Sequence, residues 1–127
     1  MSEIRATTIS DAAGTGPITL TGQSAAKAWA RWNQVANTLV KTQNVSSYTD
    51  VATGISTLTF TSSMSDANYS VTACSGELTG GGNRSIGVNG SSGRTPTVSI
   101  VSFYNISSQG NANDADCLNM SIFGDLA

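Results

Sequence analysis

Residues 45–61 read Val45-Ser-Ser-Tyr-Thr-Asp-Val-Ala-Thr-Gly-Ile-Ser-Thr-Leu-Thr-Phe-Thr61, and this stretch decides the fold class. In its second half Leu58 and Phe60 alternate with threonines, which is the period of two expected of a strand with one face in a core. Thr53-Gly54 separates this half from the extended run before it, and such a break is typical of a hairpin. The stretch therefore predicts two antiparallel strands joined by a short turn.

Similar extended segments recur on both sides of the hairpin, separated by polar turns at intervals of about ten residues. They cover residues 38–43, 69–74, 86–88, 97–105 and 117–123. The sequence shows no alternation of strand and helix patterns, so a parallel sheet is not expected. The pattern predicts an all-β fold, an antiparallel β-sandwich of jelly-roll-like kind, over residues 29–127.

Residues 24–33 fit two interpretations. As a helix, Trp29 and Trp32 would share one face behind a Ser24 cap. As a strand, the two tryptophans would point to opposite faces, and large aromatic side chains fit a pleated sheet well. We predict the strand.

Residues 1–28 are predicted to form an extended N-terminal docking arm. Gly16-Pro17 interrupts its short extended pieces, because proline excludes the helical conformation from the residue before it. A segment with so little apolar content cannot bury itself. We expect the arm to dock on a neighbouring subunit or on another protein.

Charged residues make up only 11% of the chain and the net charge is −2, against roughly 25% charged residues in a typical soluble domain. Ser, Thr, Asn and 13 glycines supply the polarity instead, which suits flat β surfaces and repeated subunit contacts. The basic residues are scattered along the sequence, so we expect no nucleic-acid partner. They are Arg5, Lys27, Arg31, Lys41, Arg84 and Arg94.

We find no targeting signal in the sequence. No segment approaches the ~20 apolar residues of a transmembrane helix, and residues 1–10 lack the apolar core of a signal peptide. We therefore expect no membrane insertion and synthesis in a reducing cytoplasm. In that compartment Cys74 and Cys117 are expected to be small buried thiols rather than a disulfide.

The chain contains no histidine, which removes the commonest general base and metal ligand. Asp114 or Asp116, paired with another acid, could serve a glycan hydrolase, and residues 111–116 could be read as a calcium loop. That loop lacks the glycine and the distal glutamate of an EF-hand, and solvated turn residues are the better interpretation. We expect no enzyme activity, no cofactor and no metal.

Three aromatic residues are candidates for contact with a glycan or with another subunit: Trp29, Trp32 and Tyr104. Exposed tryptophans can stack on sugar rings, and the pair could belong to a carbohydrate-binding module. In a chain with 6% aromatic residues, however, a tryptophan pair more often belongs to a core or a subunit contact.

Three stretches carry a resemblance to a known family. They are Thr7-Thr-Ile-Ser-Asp-Ala-Ala-Gly-Thr-Gly-Pro-Ile-Thr-Leu-Thr-Gly-Gln-Ser-Ala-Ala-Lys-Ala-Trp29, Asn44-Val-Ser-Ser-Tyr-Thr-Asp50 and Met64-Ser-Asp-Ala-Asn-Tyr69. The chain resembles short tail-fibre or minor structural proteins of tailed phages and prophages, and Ser121-Ile-Phe-Gly124 resembles their last strand. It departs from their pattern at Gln34-Val-Ala-Asn37, where they have a glycine-rich turn, and at Ser65, where they have a proline.

The resemblance implies a structural protein of a phage virion, made in the host cytoplasm. It implies a homotrimeric fibre or spike module whose arm docks on other virion proteins. Loops 75–96 and 107–115 would be outermost and would contact the host surface, where a glycan is a candidate receptor. A capsid decoration (cement) protein is the alternative, because the chain has no shaft to project a receptor-binding tip.

Overall fold

The computed structural model describes residues 25–76, 84–90, 94–107 and 109–127. They form a β-sandwich of two antiparallel sheets, which confirms the predicted fold class. The first sheet has the order β2-β1-β8-β5, and the second sheet has the order β3-β4-β7-β6. The strands are β1 (Ala28–Asn33), β2 (Thr38–Gln43), β3 (Val45–Ala52), β4 (Ile55–Phe60), β5 (Ser70–Gly76), β6 (Arg84–Val88), β7 (Ile100–Ser107) and β8 (Cys117–Phe123).

Most of the predicted arm, residues 1–24, lies outside the described residues. The division of the chain into an arm and a sandwich domain at residue 28 therefore stays a prediction. The described residues contain no helix that could cross a membrane.

Strand β1 settles the ambiguous segment in favour of the strand. Ala28, Ala30 and Trp32 point inward and are buried, whereas Trp29 and Arg31 between them are only partly buried. A helix would have put both tryptophans on one face. The period of two instead sends Trp32 into the core and Trp29 to the outer face of the first sheet.

The core lies between the two sheets and is filled from both. Trp32 on β1 contacts Phe103 on β7 with ring centroids 5.3 Å apart. Its indole nitrogen donates a hydrogen bond to Ser56 Oγ on β4 at 3.1 Å. The buried apolar residues are Ala28, Ala30, Trp32, Val45, Leu58, Phe60, Met64, Val101, Phe103, Ala115, Leu118, Met120 and Ile122.

The turn between β3 and β4 is bound to the loop that precedes β8. Gly54 N–H donates to Asp114 Oδ1 at 2.6 Å, and Gly54 O accepts from Asn105 N–H at 2.7 Å. The buried Asn105 side chain donates to Asn113 O at 2.6 Å and accepts from Ser75 Oγ at 2.6 Å. We call Gly54, Asn105, Asn113 and Asp114 the turn–loop cluster.

This cluster corrects one part of the expectation that residues 107–115 form an outermost loop: residues 109–112 are exposed, but the end of the loop is not. Ala115 is fully buried, and its backbone exchanges hydrogen bonds with Gln34. The end of the loop is thus part of the packed structure, because its polar groups meet those of the β3–β4 turn.

Gly54 is the position in this cluster where a side chain is least tolerable. Its φ is +71°, and an added Cβ would overlap Asn105 O and lie 2.8 Å from Asn113 N. We expect Gly54→Ala to lower the free energy of unfolding by about 2–4 kcal/mol, from left-handed strain plus overlap. Chemical denaturation would measure the change.

Gly110→Ala is the matched control, because Gly110 has a φ of +80° but open space around it. It should cost only the conformational term, about 1–2 kcal/mol. Equal losses in the two variants would contradict the close contact inferred at Gly54.

Tyr69 fastens the connection that leads into β7. Its hydroxyl oxygen lies 3.0 Å from both Thr97 O and Ile100 O, and its single proton is shared between these two carbonyl acceptors. Its ring packs edge-on against Phe60 at a centroid distance of 5.7 Å. Burial raises the pKa of Tyr69 to about 12.

This pKa predicts a loss of stability in strong base. An unfolded tyrosine releases its proton near pH 10, whereas Tyr69 in the folded protein keeps its proton at that pH. The contribution of Tyr69 to the free energy of unfolding is therefore complete below pH 10. It should decline as the pH rises towards about 12. Denaturation at pH 9 and pH 11.5 should show this decline reduced in Tyr69→Phe and unchanged in a control, Tyr104→Phe. A decline of equal size in all three proteins would contradict the assignment.

Candidate functional site

The fold places the three candidate aromatic residues in three different environments. Trp32 is 0% exposed, so its assignment as a glycan or subunit contact is wrong, because the inward parity of β1 puts it in the core. Trp29 lies on the outer face of the first sheet, partly exposed. Tyr104 lies on the outer face of the second sheet and is 38% exposed. The two exposed rings face away from each other and cannot form one binding platform.

A groove surrounds Trp29 on the outer face of the first sheet. Its volume is about 360 Å³. The Trp29 indole N–H donates to Gln43 Oε1 on β2 at 2.6 Å, and these two residues face each other in the β1–β2 register. The residues that line the groove, which we call the Trp29 groove, are Trp29, Ala30, Arg31, Val40, Lys41, Asn119, Met120 and Ser121.

Three basic residues meet at this face, although they are scattered in the sequence. Arg31 on β1 is directly opposite Lys41 on β2. Lys27 precedes β1 and extends its ladder, since its N–H donates to Ile122 O at 2.8 Å, and alternation places it on the face of Trp29 and Arg31. The four strands of the first sheet contain no Asp or Glu. The face is therefore cationic in a chain whose net charge is −2.

Part of this group of basic residues could have been found from the sequence. Once residues 28–33 are read as a strand, Lys27 and Arg31 fall on the same face as Trp29 by alternation alone. Lys41 could not, because its position opposite Arg31 depends on a register shift in the β1–β2 pair at Arg31/Trp32.

The outer face of the second sheet has a different chemistry. Its central strands present hydroxyl and apolar side chains, and Thr57 and Ser102 share a hydrogen bond of 2.9 Å across β4 and β7. Ile100 and Tyr104 are the exposed apolar residues of β7. This face is neutral along β4 and β7.

The candidate acids Asp114 and Asp116 do not form a metal site with other described residues. Asp114 is the acceptor for the Gly54 N–H at 2.6 Å, which commits one carboxylate oxygen to the turn–loop cluster. Burial raises the pKa of Tyr48, and the nearby carboxylates of Asp50 and Asp114 add to the effect. Among the described residues no three of His, Cys, Asp or Glu come together as a metal site.

Both cysteines are free, but the expectation that they are buried is wrong. Cys74 is exposed and Cys117 is partly exposed. The reason is parity, because Ala73 and Leu118 point inward and their neighbours must point outward. Cys74 pairs with Asn119, and Cys117 pairs with Gly76. The thiols are diagonal neighbours on the outer face, a spacing of about 7–8 Å that does not favour a disulfide.

No family model, curated protein or solved structure matches this chain.

The two tryptophans should respond differently to charged quenchers of fluorescence. In Trp32→Phe, which keeps only Trp29, the ratio of iodide quenching to caesium quenching should exceed the ratio for a free tryptophan analogue by about twofold, since Lys27, Arg31 and Lys41 concentrate anions near the indole. In Trp29→Phe, which keeps only the buried Trp32, both ions should quench weakly. A ratio for Trp29 equal to that of the free analogue would contradict the cationic face.

Proposed function

We propose that the chain is a non-enzymatic structural protein of a tailed-phage virion, a small self-assembling fibre or spike module that contacts the host surface. The observation that carries this proposal is β5, which is an edge strand of the first sheet among the described residues. A regular, uncharged edge strand presents a row of backbone groups that can pair with another chain.

The four edge strands differ in how they discourage such pairing. β2 is interrupted by a register shift beside Lys41, and β3 by two register shifts, one of them next to Asp50. β6 has no register shift but begins with the charged Arg84. β5 runs in unbroken register with β8 from Ser70 to Gly76 and contains no charged residue. Bulges and charges are the usual protection of sheet edges, so β5 is the edge that favours addition of a strand.

The outer face of the second sheet offers a further contact surface. It is neutral along its central strands and exposes Ile100 and Tyr104. Neutral surfaces that combine hydroxyl groups with an aromatic anchor are common in contacts between subunits. Tyr104 is thus a candidate for the subunit contact predicted from the sequence.

The virion location and the trimeric state come from the resemblance to tail-fibre and minor structural proteins. A capsid decoration protein stays the second candidate, because self-assembly through β5 would serve either location. The arm, residues 1–28, would attach the module to other virion proteins. Peptide mass spectrometry of purified particles should find the chain, and cryo-electron microscopy should place it at the tail or on the shell; absence from the particles would overturn the proposal.

The competing functions have less support. A carbohydrate-binding module that uses both tryptophans is excluded as stated, because Trp32 is in the core. A glycan hydrolase based on Asp114 would need a carboxylate that already accepts the Gly54 N–H.

Self-assembly can be tested by placing a charge on the open edge. The chain has a mass of 13.0 kDa, and a trimer would show about three times that mass in size-exclusion chromatography with light scattering. We expect Thr72→Lys to convert it to the monomer, because Thr72 is exposed on β5 and a lysine there disfavours strand addition.

Thr49→Lys is the matched control. Thr49 is an exposed threonine on β3, the edge strand that already carries register shifts, so this variant should keep the oligomer. A monomeric parent, or the same mass for the two variants, would overturn assembly through β5.

A further inference from the structure

We propose that the Trp29 groove binds an acidic sugar unit, a carboxylated monosaccharide within a polysaccharide of the host surface. This inference rests on the proposed function and names the ligand class for its host contact. It also moves that contact from the loops to the outer face of the first sheet.

The arrangement of charge is the first argument. Like charges directly opposite each other on neighbouring strands destabilise a sheet, and Arg31 and Lys41 are such a pair. The strands of the first sheet supply no carboxylate to offset them, and Lys27 adds a third positive charge on the same face. An anionic ligand would relieve this repulsion when it binds.

The Trp29 ring provides the aromatic surface of the groove, and this is the second argument. The hydrogen bond to Gln43 Oε1 holds the Trp29 indole across β1 and β2, so the ring does not lose rotational freedom on binding. The partly exposed Trp29 ring offers an apolar surface to the C–H face of a sugar. The groove volume of about 360 Å³ lies within the range of ~300–1,000 Å³ typical of small-ligand sites.

The polar residues around the ring are the third argument. The Arg31 guanidinium can bind a carboxylate through two parallel hydrogen bonds, whereas Lys41 supplies a single compact charge. Asn119 and Ser121 on β8 line the other side of the groove. Amide and hydroxyl groups can each donate and accept, as sugar hydroxyls require.

Other anions fit the site less well. A nucleic acid would need a longer basic stripe to bind its phosphates. An extended acidic peptide would add to the β2 edge, which the register shift at Arg31/Trp32 interrupts. A single acidic sugar ring needs only one aromatic surface and one or two cations, which is what this face provides.

Titration of the full-length protein with oligogalacturonate, followed by Trp29 fluorescence and calorimetry, tests the inference. We expect saturable binding that weakens with salt. The methyl-esterified oligomer, which has the same sugar rings without the charge, should bind at least about tenfold more weakly. Trp29→Ala and the double variant Arg31→Gln/Lys41→Gln should each weaken binding by at least about tenfold.

Arg94→Gln is the control for loss of a positive charge away from the groove, because Arg94 lies outside the first sheet. This variant should bind within about twofold of the parent. No binding by the parent, equal binding of the methyl ester, or tighter binding of polyglutamate or a single-stranded oligonucleotide would overturn the inference. Those results would leave virion location and assembly untouched, since particle mass spectrometry and the Thr72→Lys experiment test them separately.

Discussion

The position of the Trp32 side chain is the constraint on which the rest of the sandwich depends. Its ring crosses from the first sheet to Phe103 on the second, and its N–H reaches Ser56 Oγ, which also accepts a 2.7 Å hydrogen bond from Gln34 Nε2. A buried hydroxyl that satisfies two buried donors is costly to move. The parity of β1 is fixed as a result, because a slip of one residue would bury Trp29 and expose Trp32.

The parity of β1 also places the Trp29 groove away from the β5 edge. Trp29 lies on the outer face of the first sheet beside β2 and β8, whereas the open edge is β5, on the far side of β8. Strand addition at β5 would therefore leave the Trp29 groove accessible. The proposed assembly and the proposed ligand binding are therefore compatible, because they would use different parts of the sheet.

The predictable parts of the structure are those encoded within single strands. The alternation around Leu58 and Phe60, and that of Leu118, Met120 and Ile122, identified β4 and β8 and their buried faces. A two-residue period needs no knowledge of the partner strand. The sandwich followed from the number and spacing of such segments.

The unpredicted features depend on contacts between distant segments. The meeting of Arg31 with Lys41 requires the register shift in the β1–β2 pair, and the burial of Ala115 requires its contacts with Gln34. The expectation that Cys74 and Cys117 are buried was wrong; it followed the general preference of small thiols for the interior and did not consider the parity of their strands. In each case the deciding information lies in pairing across the fold.

The place of β8 in the first sheet has a consequence for synthesis. β1 lies between β2 and β8, and Ala28 pairs with Ile122 near the end of the chain. Before β8 has been synthesised, the first sheet therefore lacks the strand that joins β1 to β5. The first sheet cannot be completed before β8 has been synthesised, and a nascent chain that stalls before β8 would expose the flank of β1 to aggregation.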